Sequence, residues 1–233
     1  NGELIGAASW HVYLLVPVVA AAGASVAGVF QRWVLAWRRR TRSRSRIPEV
    51  LRPVVGGLTT WALGIGVFVL FGRLGVFGLG YSDLSDVFTG RFGAWHVAGI
   101  LLLAKLAATS ASYSWGGCGG IFSPTLMMGG MAGLFLSGLA SLWIPLSEAD
   151  RILLCACGMS ACFGAAVKAP FTAVLIVFEM THQFSIVPAL MLATLVSQAV
   201  SRRFAAGNMY DELLRQDGHE IAHPARVHAR TSW

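Results

Sequence analysis

Two short stretches carry residue types that could do chemistry. Residues 219–223 read HEIAH, and residues 116–124 read GGCGGIFSP. The first matches H-E-x-x-H, in which two histidines one helical turn apart hold zinc and the glutamate activates water. His219, Glu220 and His223 would then make a metalloprotease. The pattern has few constraints, and its context argues against it. Pro224 disfavours helical geometry at His223, Gly218 weakens the helix start, and His228 misses the spacing of a third ligand. No metal site is expected. The cysteines at 118, 155, 157 and 162 follow neither a C-x-x-C nor a zinc pattern, and read as free packing thiols. With no nucleophile elbow and no phosphate-binding lysine loop, the chain is not expected to be an enzyme or to need a cofactor.

The second stretch puts four glycines and a proline into nine positions, between long apolar runs. Glycine permits unusual backbone angles and leaves the backbone bare. Pro124 suits the first turn of a helix, where its missing N–H costs nothing. Together they predict an extended segment feeding a helix that starts between Ile121 and Pro124. The first N–H groups of such a helix have no internal partner and carry partial positive charge, so they can hold an anion. The bland rival is a glycine-rich packing loop with no ligand, in a membrane subunit that transports nothing.

The elements around this stretch belong to a membrane protein. Of 233 residues, 55% are hydrophobic and 12% charged, whereas soluble domains carry about 25% charged residues. Halving that leaves too little polar surface to cover a globule. A crossing helix needs about 20 mostly apolar residues. Apolar runs lie at 12–37, 51–79, 93–114, 121–146, 151–167, 170–181 and 184–201. Several are short or interrupted by glycine or proline, which predicts tilted helices and helices that stop partway. Non-helical backbone at membrane depth survives only inside protein or beside a wet cavity, so the glycine run is expected to line one. Small residues three and four apart in MMGGMAGLFLSGLA allow close helix packing, and SEAD (147–150) reads as a helix start capped by Ser147. SDLSDVF reads as a short amphipathic or re-entrant helix, and THQF (181–184) as a polar break between two helices.

The net charge of +7 is local: residues 37–46, WRRRTRSRSR, hold six arginines. Nucleic-acid binding is not expected. A short basic loop marks the cytoplasmic side, and its arginines can meet anionic headgroups. SRRF (201–204) is expected on the same side. The chain begins at Asn1 and NGELIGAASW has no signal-peptide pattern, so a stretch from within a longer protein is expected.

With these residues in view, the sequence resembles the CLC family of chloride channels and chloride/proton antiporters. GGIFSP (119–124) is similar to its G-x-F-x-P signature. KAPFTAVLIVFEMT (168–181) is similar to its segment ending Glu-Met-Thr, and MYDELL (209–214) to the place of a tyrosine just before its last helix. GLGYSDLSDVF also looks like its glycine-rich stretch. The resemblance implies an all-α, polytopic inverted-repeat fold with tilted and broken helices, here the second repeat plus the last helix of the first. Residues 1–206 would be the transmembrane domain, and 207–233 the anion-site tyrosine, a short last helix and a cytoplasmic tail. It implies a multi-pass protein of the cell (inner) membrane, a homodimer, and chloride or a similar small anion as substrate. The amides of Ile121 and Phe122, bared by Gly120, would bind the anion with the hydroxyl of Tyr210. The family's G-S-G-x-P-type serine loop and G-R-E-G-P-type gating glutamate are not in this sequence. About half of the anion site is therefore expected here, with the other half in a missing N-terminal part of the same polypeptide.

Single intramembrane charges have their own readings. Lys105 is expected in a buried ion pair, and Lys168 beside a carboxylate or lipid phosphate. Glu179 is expected to pack and hydrogen-bond at a helix end rather than move protons. Trp10, Trp33, Trp37, Trp95 and Trp143 are expected to anchor at headgroups.

Overall fold

A computed structural model describes residues 12–44, 47–117, 119–204 and 207–218, which form helices and, among the described residues, no strands. The HEIAH motif, Cys118 and Trp10 lie outside the described residues. The principal helices are α1 (Val12–Arg44), α2 (Arg52–Phe71), α3 (Tyr81–Phe88), α4 (Trp95–Ser114), α5 (Phe122–Ala140), α6 (Glu148–Val167), α7 (Pro170–Thr181), α8 (Val187–Phe204) and α9 (Met209–Gln216). Among the described residues, six helical segments are long and apolar enough to cross a bilayer. At 1.5 Å per residue, α7 reaches only about 18 Å, so it stops partway, as its length in sequence predicts.

The core is the α5–α6 pair. Glycine lets the two backbones touch: a Cβ on Gly129 would lie 2.3 Å from the Gly158 carbonyl oxygen, and one on Gly133 2.3 Å from that of Leu154. Cys155, Cys157 and Cys162 of α6 are free and fully buried, as packing thiols. α1 lies across α6 and α8, α4 lies beside α5, and α2 packs on α4 at the edge.

Helix ends follow local chemistry. Ser147 and Asp150 form a reciprocal capping box at the start of α6. α6 ends at Lys168 and α7 at His182, both in the left-handed region with φ of 60° and 52°, so the THQF break is a true helix stop. The end of α6 is also closed from α8, where Gln198 Nε2 donates to the Gly164 carbonyl at 2.7 Å.

Two expectations need correction. Residues 37–44 of the basic stretch are not a loop: α1 runs helically through Arg44, because arginine is a good helix former and no glycine or proline intervenes. The 51–79 run is not one element either. Helix α2 ends at Phe71 with Gly72 left-handed at φ 66°, and residues 72–80 form a loop leading to α3.

Gly129→Leu should overpack this interface and cost about 1–3 kcal/mol. A thermal-unfolding series in detergent should show a lowered midpoint, whereas Gly57→Leu, at a position with open space around it, should leave the midpoint in place.

Candidate anion site

α5 begins inside the bundle without a cap. Ile121 is the N-cap residue, and no side chain accepts from the first amides. Among the described residues, nothing accepts a hydrogen bond from the amides of Gly120, Ile121 or Phe122. The neighbouring hydroxyls do not fill the gap. Ser123 Oγ donates to the Leu79 carbonyl, and Thr125 Oγ1 donates to the carbonyls of Ile121 and Phe122, both at 2.9 Å. Each hydroxyl thus turns towards an oxygen and away from the amides. The Tyr113 hydroxyl donates to the Gly119 carbonyl, which engages an oxygen that would otherwise repel an anion.

Side chains anchor this start from two sides. The Ile121 side chain is fully buried, in a cluster with Phe30, Val34, Met128, Cys162 and Met209. The Phe122 ring packs edge-on against Phe163 at 5.1 Å. Gly120, in contrast, is exposed, and a Cβ there would meet nothing within 4 Å. The amides therefore border open space while the residues after them are locked into the core.

Met209 brings the last helix into the same cluster. Asn208 caps α9, its Oδ1 accepting from the Tyr210 amide at 3.1 Å. Tyr210 follows the buried Met209 and is 42% exposed. No hydrogen bond engages its hydroxyl among the described residues. The structure thus joins the first turn of α9 to the start of α5 through Ile121 and Met209.

α9 is tied to the basic end of α1. Asp217, just after α9, pairs with Arg38 at 2.9 Å and Arg42 at 2.6 Å. Arg42 also donates to the Gln216 carbonyl at 2.8 Å, and Gln216 Nε2 to the Leu35 carbonyl at 3.1 Å. Gln31 reaches the Gly207 carbonyl at 3.3 Å. The arginine stretch and the tail therefore share one end of the molecule. A cleft of about 200 Å³ opens there, lined by Arg38, Arg42, Arg52 and Glu49 together with Ser114 and Gly116, at the entry to the glycine run.

The charged residues deep in the bundle serve other ends than those expected. Lys105, 2% exposed, is not in a direct ion pair. Its Nζ donates to the carbonyls of Gly75, Val76 and Gly78 at 2.9, 3.2 and 2.7 Å. Glycines in the 72–80 loop bare those carbonyls, which makes a backbone cage easier to build than a carboxylate partner. The loop's own ion pair is Arg73 with Asp83 at 3.3 Å and Asp86 at 2.5 Å. Lys168 donates to Ser201 Oγ at 2.9 Å, not to a carboxylate. Its charge follows the C-terminus of α6, where the helix dipole favours a cation, so no anionic partner is required. Glu179 lies near the end of α7, 3.8 Å from His182, and both are exposed. Trp33 and Trp37 stack at 6.4 Å near the basic end of α1, and Trp143 is 80% exposed. Trp95 instead packs on Phe135 at 5.6 Å. Sequence reasoning missed Tyr113, Ser123 and Asn208 as supports. Of these only Asn208, followed by acidic residues in a first turn, carried a readable helix-start signal.

Fold and site together define a polytopic membrane protein built round a helix that begins in its interior. The family described as voltage gated chloride channel matches residues 3–202, and the chain belongs to that family. A chloride channel protein described as putative and ClcB-like, from Ralstonia nicotianae, is 30% identical over 208 residues, 89% of this chain and 46% of the relative. The voltage-gated ClC-type chloride channel ClcB of Escherichia coli is 32% identical over 155 residues, 64% of this chain and 37% of the relative. Among solved structures, a slow cyanobacterial chloride/proton antiporter matches with TM-score 0.71 at 22% identity, covering 92% of this chain and 49% of that one. A CLC-type fluoride/proton antiporter matches at TM-score 0.69, also at 22% identity, covering 91% and 48%. The chain spans about half the length of these proteins, and its fold is that of a CLC half.

Asp217→Asn should loosen α9 by about 0.5–1 kcal/mol, the range of exposed ion pairs, read as faster amide hydrogen exchange at 209–216. Burial raises the Asp217 carboxyl, but hydrogen bonds and charge from Arg38 and then Arg42 outweigh it and hold it below the usual aspartate range. With the folded value depressed, the contribution is complete above the unfolded value near 3.9 and fades as pH falls through the folded one. α9 docking should therefore hold between about pH 5 and 8 and weaken only under stronger acid, as tracked by spin-label distances between α1 and α9.

Proposed function

We propose that this chain forms one half of a transmembrane pathway for chloride or a similar small anion. The observation that carries the reading is the uncapped start of α5 beside open space at Gly120, in a member of a chloride-channel family. The amides of Ile121 and Phe122 hold the anion, Gly120 leaves them accessible, and the Tyr210 hydroxyl donates from the side of α9. Neutral donors in a low-dielectric setting attract an anion without trapping it, which conduction needs. The cleft beside the glycine run, with three arginines against the single Glu49 in its lining, raises anion concentration near the entrance.

The whole pathway includes a serine loop and a gating glutamate from the half that the longer relatives carry, and it works as a homodimer without cofactor. The exposed apolar faces of α2 and of α7–α8, with Trp61, Phe171 and Phe184 at the surface, suit lipid and such a partner. The protein sits in a bacterial-type inner membrane with the end of α1 and the tail on the cytoplasmic side. Membership of a channel family supports transport rather than catalysis, and so weighs against the HEIAH metalloprotease and a non-transporting subunit.

The test is halide flux by the full-length protein in liposomes, with halide affinity from calorimetry. Tyr210→Phe should weaken halide binding about tenfold, the worth of a hydrogen bond to a charged group; unchanged affinity would remove Tyr210 from the site. Gly120→Leu should fold normally, since the space there is open, yet abolish flux by covering the amides. Full flux in that variant would place the pathway elsewhere.

A further inference from the structure

The basic end of α1 builds a second cleft that the anion pathway does not use. It has a volume of about 630 Å³ and is lined by Arg39, Arg42, Ser43, Glu212, Arg215 and Gln216. Its position along α1 is set by the Trp33–Trp37 stack, since tryptophans concentrate where hydrocarbon meets headgroups. At 1.5 Å per residue, Arg39 lies about 3 Å and Ser43 about 9 Å beyond Trp37 along the helix axis. The headgroup layer is itself roughly 5–8 Å deep on each face, so the cleft opens at headgroup level.

Its charges are unevenly committed. Arg42 is held by Asp217 at 2.6 Å and by the Gln216 carbonyl at 2.8 Å. Arg215 pairs with Glu212 at 3.2 Å, which neutralises the one carboxylate in the lining. Arg39 has no ion pair among the described residues. Partnered guanidinium groups next to one with no ion pair among the described residues are suited to planar, multidentate capture of phosphate. Chloride needs none of this and is too small to span such a cleft.

We propose that this cleft binds a phosphate group, presented by an anionic phospholipid headgroup at the membrane surface. Arg39 supplies the uncommitted charge, and the fixed edges of Arg42 and Arg215 complete the cradle. A bound headgroup would also bridge α1 and α9.

The test uses the full-length protein, delipidated in detergent, with native mass spectrometry counting bound phosphatidylglycerol against phosphatidylcholine, and with inorganic phosphate as a separate arm. Arg39→Gln leaves the Arg38–Arg42–Asp217 pairing intact and should weaken phosphatidylglycerol binding about tenfold. Glu212→Gln should strengthen it, because the one carboxylate lining the cleft among the described residues is removed. Phosphatidylcholine should not compete. Saturation by inorganic phosphate with no preference for phosphatidylglycerol would keep the phosphate cradle but overturn the lipid as its source. Phosphatidylglycerol binding unaffected by both variants would overturn the site. Halide flux separates this outcome from the anion reading, since neither residue contacts the α5 start.

Discussion

A helix that begins inside a membrane protein exposes backbone N–H groups that lipid cannot satisfy. At the start of α5 this constraint is met by neither a cap nor a neighbouring hydroxyl, and much of the fold serves to keep it so. Ile121 and Phe122 are gripped by the core through their side chains while, among the described residues, nothing engages their amides. Ser123 and Tyr113 take up nearby carbonyls. Lys105 binds three carbonyls of the 72–80 loop, and that loop in turn receives the Ser123 hydroxyl through Leu79. A buried lysine in a backbone cage is costly to disturb, so the lock on α5 is set from α4 through the loop.

The tight α5–α6 contact has the same effect from the other side. Glycine-on-backbone packing leaves the α5 axis little freedom to slide, because each approach is already at backbone contact. The far end of the molecule adds a longer lever. α9 would be a marginal helix alone, being eight residues long. It is held by Met209 in the core and by Asp217 and Gln216 on α1. The position of Tyr210 therefore depends on residues 31–42 of α1, far away in sequence.

Much of this was legible because it follows from local chemistry. The α5 start, the Ser147 cap, the break at THQF and the short α3 all rest on residues whose backbone or capping preference is strong. The all-helical membrane fold followed from charge content and apolar run length. What could not be read is where each cation finds its partner. Lys105 and Lys168 were expected beside anions, yet one meets carbonyls bared by glycines thirty residues away in sequence, and the other a serine on α8 and a helix C-terminus. Those partners are backbone or hydroxyl groups with no signature of their own. The arginine stretch misled for another reason: its charge pattern suggests a loop, but helix propensity and the carboxylate of Asp217 keep it helical. The proposed anion donors were named from motif resemblance, and the cluster that relates them holds Met209, which no motif marks.

The same distribution of cations bears on how an anion would be held. Arg73 is engaged by Asp83 and Asp86, Arg38 and Arg42 by Asp217, Lys105 by carbonyls and Lys168 by Ser201. Each of these cations is thus engaged by a group outside the α5 start. A full positive charge against a chloride in a low-dielectric site would bind it far more strongly than dipoles do, and release would become the slow step. Keeping the charges engaged elsewhere leaves only partial charges at the α5 start, while the arginines at the cleft still bias the approach of anions. Under the proposed reading, attraction at long range and weak grip at short range are thus separated in space by the same set of ion pairs that hold α9 in place.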